Sequence, residues 1–139
     1  VTSPTQLSMK NLAKRGYIAA VVERWNQWTK IRQDLFGFAD IIAYTATTDG
    51  MRRIVLVQTT TAANMSARRK KIQESKHAHW WLLSGGDIEL HGWAKMGPRG
   101  KRKVWTLKMG TFSPVDGGHI MYVGGGEHGP IGVPLHRSR

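Results

Sequence analysis

Three stretches rich in β-branched, aromatic and aliphatic residues, 17–25, 38–44 and 53–59, read as strands. Each carries or adjoins one polar group that a sheet core does not accept unaided: Glu23, Asp40 and Gln58. The acid in Phe38-Ala39-Asp40-Ile41-Ile42 constrains the chain most, because a carboxylate buried among apolar side chains needs a partner or a metal. Strand periodicity puts Phe38, Asp40 and Ile42 on one face, and Gln58 and Thr60 share a face at the end of Ile54-Val55-Leu56-Val57. Asp49-Gly50 is a hairpin signal roughly equidistant from Asp40 and Gln58, so the turn brings the two together. The oxygens of Asp40, Gln58 and Glu23 can then hold Mg²⁺, with Mn²⁺ as a substitute, since Mg²⁺ takes hard oxygen ligands and keeps several waters. In the plainer alternative Asp40 only accepts backbone hydrogen bonds or pairs with Arg32.

The flanking segments fill in an α/β chain. Ser3-Pro4-Thr5-Gln6 combines an N-cap, a first-turn proline and a capping-box glutamine, which predicts a helix over 4–15 closed by Gly16. Residues 26–37 read as a polar loop. Residues 64–79 read as a second helix bearing Arg68, Arg69, Lys70 and Lys71. Trp80 to Leu83 reads as a buried transition or short strand, and Ser84-Gly85-Gly86-Asp87 as a turn. Residues 88–94 and 104–109 form a hairpin around the basic loop Gly97 to Lys103. The order predicts one mixed sheet flanked by helices. Residues 1–110 make up the main domain, and 111–139 a glycine-rich, partly ordered extension with a short strand at 120–123.

The charge narrows the partner. Among 139 residues, 21 Lys and Arg oppose nine Asp and Glu, a net charge of +12. Such a surface repels itself unless a polyanion neutralises it, and nucleic acid is the expected one. Arg32, Arg68, Arg69, Lys70 and Lys71, with Arg99, Lys101, Arg102 and Lys103, are the candidate phosphate contacts. A solvated basic face is the alternative for the run at 68–71. The absence of cysteine excludes disulfides, thiolate nucleophiles and cysteine zinc sites. Neither an 18-residue apolar run nor a secretion-signal pattern at residues 1–6 is present, so no membrane association and an intracellular, cytoplasmic setting are expected.

The runs Val22-Glu23-Arg24-Trp25, Asp34-Leu35-Phe36-Gly37-Phe38-Ala39-Asp40-Ile41-Ile42-Ala43 and Val55-Leu56-Val57-Gln58-Thr59-Thr60 resemble the PD-(D/E)XK nuclease superfamily. More narrowly, they look like small phage-type, Holliday-junction-resolvase-like endonucleases, over roughly residues 5–95. The resemblance implies a restriction-endonuclease-like fold and Mg²⁺-dependent hydrolysis of DNA at branched or mismatched sites by a homodimer. It places the superfamily's first Glu on Glu23, its Asp on Asp40 and its acid-x-Lys on Gln58-Thr59-Thr60. Both diagnostic positions of that last motif differ: Gln58 brings no charge and Thr60 no ammonium. Very-short-patch repair endonucleases resemble this variant in using a Thr for the lysine. A lysine from elsewhere, such as Lys70, Lys71 or Lys95, can also serve, as in other branches of the superfamily. A DNA-binding protein that keeps the fold without the activity is the alternative reading. A basic structural or ribonucleoprotein component is a more distant one.

The remaining signals are weaker. His77, His79 and His91 have no metal-ligand spacing, and they read as ordinary surface or core histidines. Gly124-Gly125-Gly126 lacks the Lys and Ser or Thr of a phosphate loop, so no nucleotide cofactor is expected. Trp80, Trp81, Trp93 and Trp105 read as core. Trp25 and Trp28 are either buried or set to wedge against unpaired bases or a branched junction.

Overall fold

The structure is a computed structural model that describes residues 2–46 and 52–128. Six strands form one sheet in the order β1 (Ile18–Val21), β4 (Ile41–Ala46), β5 (Arg52–Thr61), β6 (Asp87–Met96), β7 (Val104–Val115) and β8 (His119–His128). Neighbours are antiparallel except β5 and β6, which run parallel. A parallel pair needs a crossover, and two helices supply it: α2 (Met65–Gln73) and α3 (Lys76–Leu83). The remaining strands, β2 (Arg24–Asn26) and β3 (Ile31–Gln33), form a separate hairpin.

Strand alternation sorts the two layers. Val55 and Val57 face α1 (Pro4–Lys14) and pack with Leu12, Ile41 and Ala43. Leu56 faces the other way, joining Ile88 and Leu90 against Ile72, Ala78 and Leu82 of α2 and α3. One helix thus covers one face and two cover the other, the mixed sheet flanked by helices of a restriction-endonuclease-like architecture. Ser3 caps α1 as its sequence predicts, with Ser3 Oγ accepting from the Gln6 N–H and Gln6 Oε1 accepting from the Ser3 N–H. Gly92 lets the start of α2 cross β6 closely, because a Cβ there would meet the Met65 side chain.

Several elements differ from the sequence expectation. The stretch 17–25 is split, because the Val22 and Glu23 N–H groups both donate to the Asp40 carbonyl, and the chain leaves β1 there to enter the β2–β3 hairpin. The expected loop 26–37 therefore contains strand β3. The expected helix over 64–79 is two helices, because Ser75 Oγ accepts from the Ala78 N–H and starts α3 afresh. Trp80 to Leu83 is the last turn of that helix rather than a strand. Of the four expected core tryptophans only Trp93 is fully buried, and Trp80 is 57% exposed. At the C-terminal end, β7 runs through residue 110 to Val115 and β8 pairs with it, making a terminal hairpin longer than the expected short strand. The Asp49-Gly50 turn and the tail after residue 128 lie outside the described residues.

Candidate metal centre and cleft

Asp40 sits one residue before β4. Extending the β4–β5 register by one residue puts it opposite Gln58, and its N–H donates to the Val57 carbonyl at 2.8 Å. The residue is 4% exposed. Gln58 Nε2 donates to Asp40 Oδ2 at 2.6 Å, and the Thr59 N–H donates to the same oxygen at 2.9 Å. Two donors on Oδ2 hold the carboxyl group in place. The Gln58 Oε1 atom is buried with no hydrogen-bond partner among the described residues.

The carboxylates that gather are Glu23, Asp34 and Asp40, each offering an oxygen within 4.8 Å of the others. Asp34 was not singled out by the sequence as a site residue. It arrives through a tight loop: the Leu35 N–H donates to the Ala39 carbonyl and the Ala39 N–H to the Leu35 carbonyl, at 2.8 and 2.9 Å. Gly37 turns the chain at φ +81°, where a side chain is strained, so that residues 34 and 40 come back side by side. The clue lay in the segment Asp34 to Asp40 itself: two acids flanking a central glycine describe a loop that pairs its ends. Glu23 comes from the base of the β2–β3 hairpin, fixed by its N–H donating to the Asp40 carbonyl.

Burial pushes the Asp40 carboxyl up to about 7, and the neighbouring Asp34 and Glu23 add to the rise while the Thr59 N–H opposes it. A carboxyl raised in the fold favours folding below its ordinary value of 3.8, and that contribution is lost as pH rises through 7. The metal-free protein should therefore lose stability between about pH 4 and pH 7, and a divalent ion should offset the loss. In melting curves, the Tm gain on adding Mg²⁺ is expected to be larger at pH 8 than at pH 6. An equal gain at both would show that Asp40 takes no part in ion binding.

Two cations already neutralise part of the cluster. Arg32 Nη1 lies 2.9 Å from Glu23 Oε1, and Lys71 Nζ lies 3.1 Å from Asp34 Oδ2. An open cleft of about 680 Å³ holds Glu23, Asp34, Asp40, Thr60, Arg68 and Lys71. The other expected phosphate contacts are spread more widely. Arg69 lies over the Tyr122 ring at 5.1 Å, away from this lining, and Lys70 is exposed on α2. Arg99, Lys101, Arg102 and Lys103 are exposed in the turn after β6. Because β5 and β6 are parallel, that turn projects from the same end of the sheet as Gln58 and Thr60. Of the three lysines considered as replacements, Lys71 alone contacts the acids; Lys95 lies over the Trp105 ring at 5.3 Å.

Behind Asp40, on the α1 face, lies a buried polar chain that the sequence pattern did not reveal. Ser8 Oγ is 2.8 Å from both Thr59 Oγ1 and His91 Nδ1, and it accepts from Trp93 Nε1 at 2.9 Å. His91 Nε2 lies 2.8 Å from Glu89 Oε1, which takes Arg15 Nη2 at 2.6 Å, while Arg15 Nη1 donates to Glu89 Oε2 at 3.1 Å. Although burial works against it, the bonds to His91 and Arg15 hold the Glu89 carboxyl down to about 2. Thr59 thus belongs to this chain through its hydroxyl and to Asp40 through its N–H.

No helix among the described residues is long and apolar enough to cross a membrane. The structure thus combines a mixed α/β fold with a clustered acidic triad consistent with a nuclease-like active site, able in principle to coordinate a divalent metal. No protein-family description, no curated protein and no solved structure matches the chain.

Proposed function

We propose that the protein is a metal-dependent endonuclease of the PD-(D/E)XK type that hydrolyses DNA phosphodiester bonds, with Mg²⁺ or Mn²⁺ held by Glu23, Asp34 and Asp40. The observation that carries this reading is the acid triad opening onto a cleft that also holds Arg68 and Lys71. Their oxygens lie within 4.8 Å of one another, so a divalent ion could be held among the three carboxylates once they draw together around it. Mg²⁺ there supplies activation of water and neutralisation of charge on the scissile phosphate.

The chain's own residues do the rest. Gln58 and the Thr59 N–H orient Asp40 through Oδ2. Gln58 Oε1, on the same amide that holds Asp40, has no hydrogen-bond partner among the described residues. Thr60 lies in the cleft lining, where its hydroxyl can hydrogen-bond a phosphate or an ordered water. Lys71 stands in for the ammonium missing at residue 60, since it reaches the acids from α2. Arg32, paired with Glu23, is close enough to exchange a carboxylate for a backbone phosphate. The turn at 99–103 and the exposed positions 69 and 70 extend the positive surface along a DNA backbone, which positions DNA without reading its sequence. Branched or mismatched DNA and a homodimer that cuts opposing strands remain the expected substrate and assembly.

Labelled linear, nicked, mismatched and four-way-junction DNA, incubated with Mg²⁺, with Mn²⁺ and with chelator, tests the reading. Metal-dependent cleavage supports it, whereas tight metal-independent binding without cleavage points to a binding protein that keeps a nuclease-like fold. Lys71→Met is expected to lower the cleavage rate by about 10²-fold while leaving Tm nearly unchanged, because the lysine is on the surface. An unchanged rate would remove Lys71 from the site.

A further inference from the structure

The β2–β3 hairpin is built unlike the rest of the molecule. It has only three residue pairs and lies outside the six-stranded sheet, and a two-stranded ribbon of that size is marginal alone in water. It still presents Trp28 at 87% and Trp25 at 57% exposure, with Ile31 at 54%. The tip is pinned: Asn26 Oδ1 accepts from the N–H groups of Trp28 and Thr29 at 2.9 and 3.1 Å, and the Lys30 N–H donates to the Asn26 carbonyl at 2.8 Å. The feet are held too, by the Glu23 N–H donating to the Asp40 carbonyl on one side and by the Leu35–Ala39 backbone pair next to Asp34 on the other. An arm carrying two tryptophans thus grows directly out of the candidate metal centre.

The register determines what shares a face. Trp25 lies opposite Arg32, and strand alternation puts both on the side of Glu23 and Asp34. Arg32 bridges the two regions, since its guanidinium pairs with Glu23. A hollow of about 390 Å³ lies between Trp25, Arg32, Glu23 and Val21, and it adjoins the acidic cleft through Glu23 and Arg32. Trp25 is two residues from Glu23, about 7 Å along a strand. That equals about two base steps at 3.4 Å each. Arg24, Lys30 and Arg32 interleave with the tryptophans, so charge complementarity favours a polyanion with free aromatic faces over an apolar partner.

We propose that the Trp25–Arg32 face of this hairpin, with Trp28 at its tip, is a stacking shelf for unpaired bases of a DNA strand whose backbone runs into the acidic cleft. A base inside a duplex already has both faces stacked, so only a frayed, flapped or single-stranded nucleotide can use the shelf. The hairpin then selects DNA with unpaired nucleotides about two steps from the scissile phosphate. This rests on the nuclease reading for the cleft but not for the binding itself.

Binding is therefore measured apart from cleavage, on the whole protein in chelator. Single-stranded, flapped and blunt duplex oligonucleotides of one sequence are titrated against it by tryptophan fluorescence and by anisotropy. Single-stranded and flapped DNA are expected to quench the fluorescence. Trp25→Ala and Trp28→Ala are each expected to weaken their binding by about ten- to hundredfold. Binding of blunt duplex is expected to change less than twofold, and Trp28→Phe is expected to restore most of the affinity. Equal losses for duplex and single strand, or none for either, would overturn the shelf. So would a wild-type dimer that Trp28→Ala converts to monomer without affecting DNA, since the arm would then be an interface between copies. Failure of the nuclease reading shows separately, as absence of cleavage with Mg²⁺ while tryptophan-dependent binding persists.

Discussion

Asp40→Asn (D40N) is expected to abolish metal-dependent strand cleavage, by about 10²- to 10³-fold or more, while the protein stays folded. The substitution suits the site's geometry. The asparagine oxygen can accept from Gln58 Nε2 and the Thr59 N–H, as Asp40 Oδ2 does. Its amide nitrogen can turn toward Glu23 and Asp34, where it meets acceptors instead of a third carboxylate. At pH 8 the variant also escapes the cost of ionising a buried carboxyl whose pKa is raised to about 7. Its metal-free Tm should equal or exceed the wild type's, and the Mg²⁺-induced gain should shrink. Cleavage of a labelled four-way junction, followed beside the melting curve, checks both halves. Wild-type cleavage in a folded D40N protein would move the chemistry away from this triad.

The second large effect is on stability. Glu89→Ala is expected to cost about 3 kcal/mol at pH 7, because it leaves Arg15 and His91 facing a buried gap in place of a carboxylate. A loss of that size is a large fraction of the stability of a domain this small. A carboxyl held at about 2 in the fold, against an ordinary 4.5, stabilises the protein wherever the unfolded chain's carboxyl would be ionised. That contribution is complete above about pH 4.5 and declines as pH falls toward 2. The difference between wild type and Glu89→Ala in denaturant unfolding should therefore be clearly smaller at pH 3 than at pH 7. A difference independent of pH would mean that Glu89 acts through packing alone. The loss should also loosen α1, whose Ser8 joins the chain between His91 and Thr59, and residues 3–6 at its start line the cleft.

Where local chemistry decides structure, the elements were legible. The capping box at Ser3 and Gln6 forms as expected, and the β4–β5 register, extended by one residue, puts Asp40 opposite Gln58, in line with their equal spacing about Asp49-Gly50. The run 64–79 has a composition that suits one continuous helix, whereas Ser75 restarts the helix through one side-chain hydrogen bond. The split of 17–25 was equally hidden: nothing local in Val22-Glu23 announces that both N–H groups will donate to the Asp40 carbonyl. Tryptophan burial is not legible in the sequence for a related reason. Trp80 and Trp93 are alike in composition terms, but Trp93 lies on a central strand under α1 and Trp80 on the outer side of a short helix.

By itself the sequence determined that Asp40 would be a buried acid needing partners, because an apolar strand context leaves a carboxylate no alternative. It also determined the sign of the surface, since a charge of +12 cannot be hidden by any fold of 139 residues. Only the tertiary structure decided which oxygens stand beside Asp40. Asp34 joins through a loop closed by two backbone hydrogen bonds, and Glu23 joins from a hairpin base. Gln58, nominated as a ligand, is first of all the donor that fixes Asp40. The physical reason is range. Propensity, capping and alternation act over a few residues, whereas a cluster of carboxylates within 4.8 Å depends on how the β2–β3 hairpin and the loop 34–40 together bring three side chains to one place.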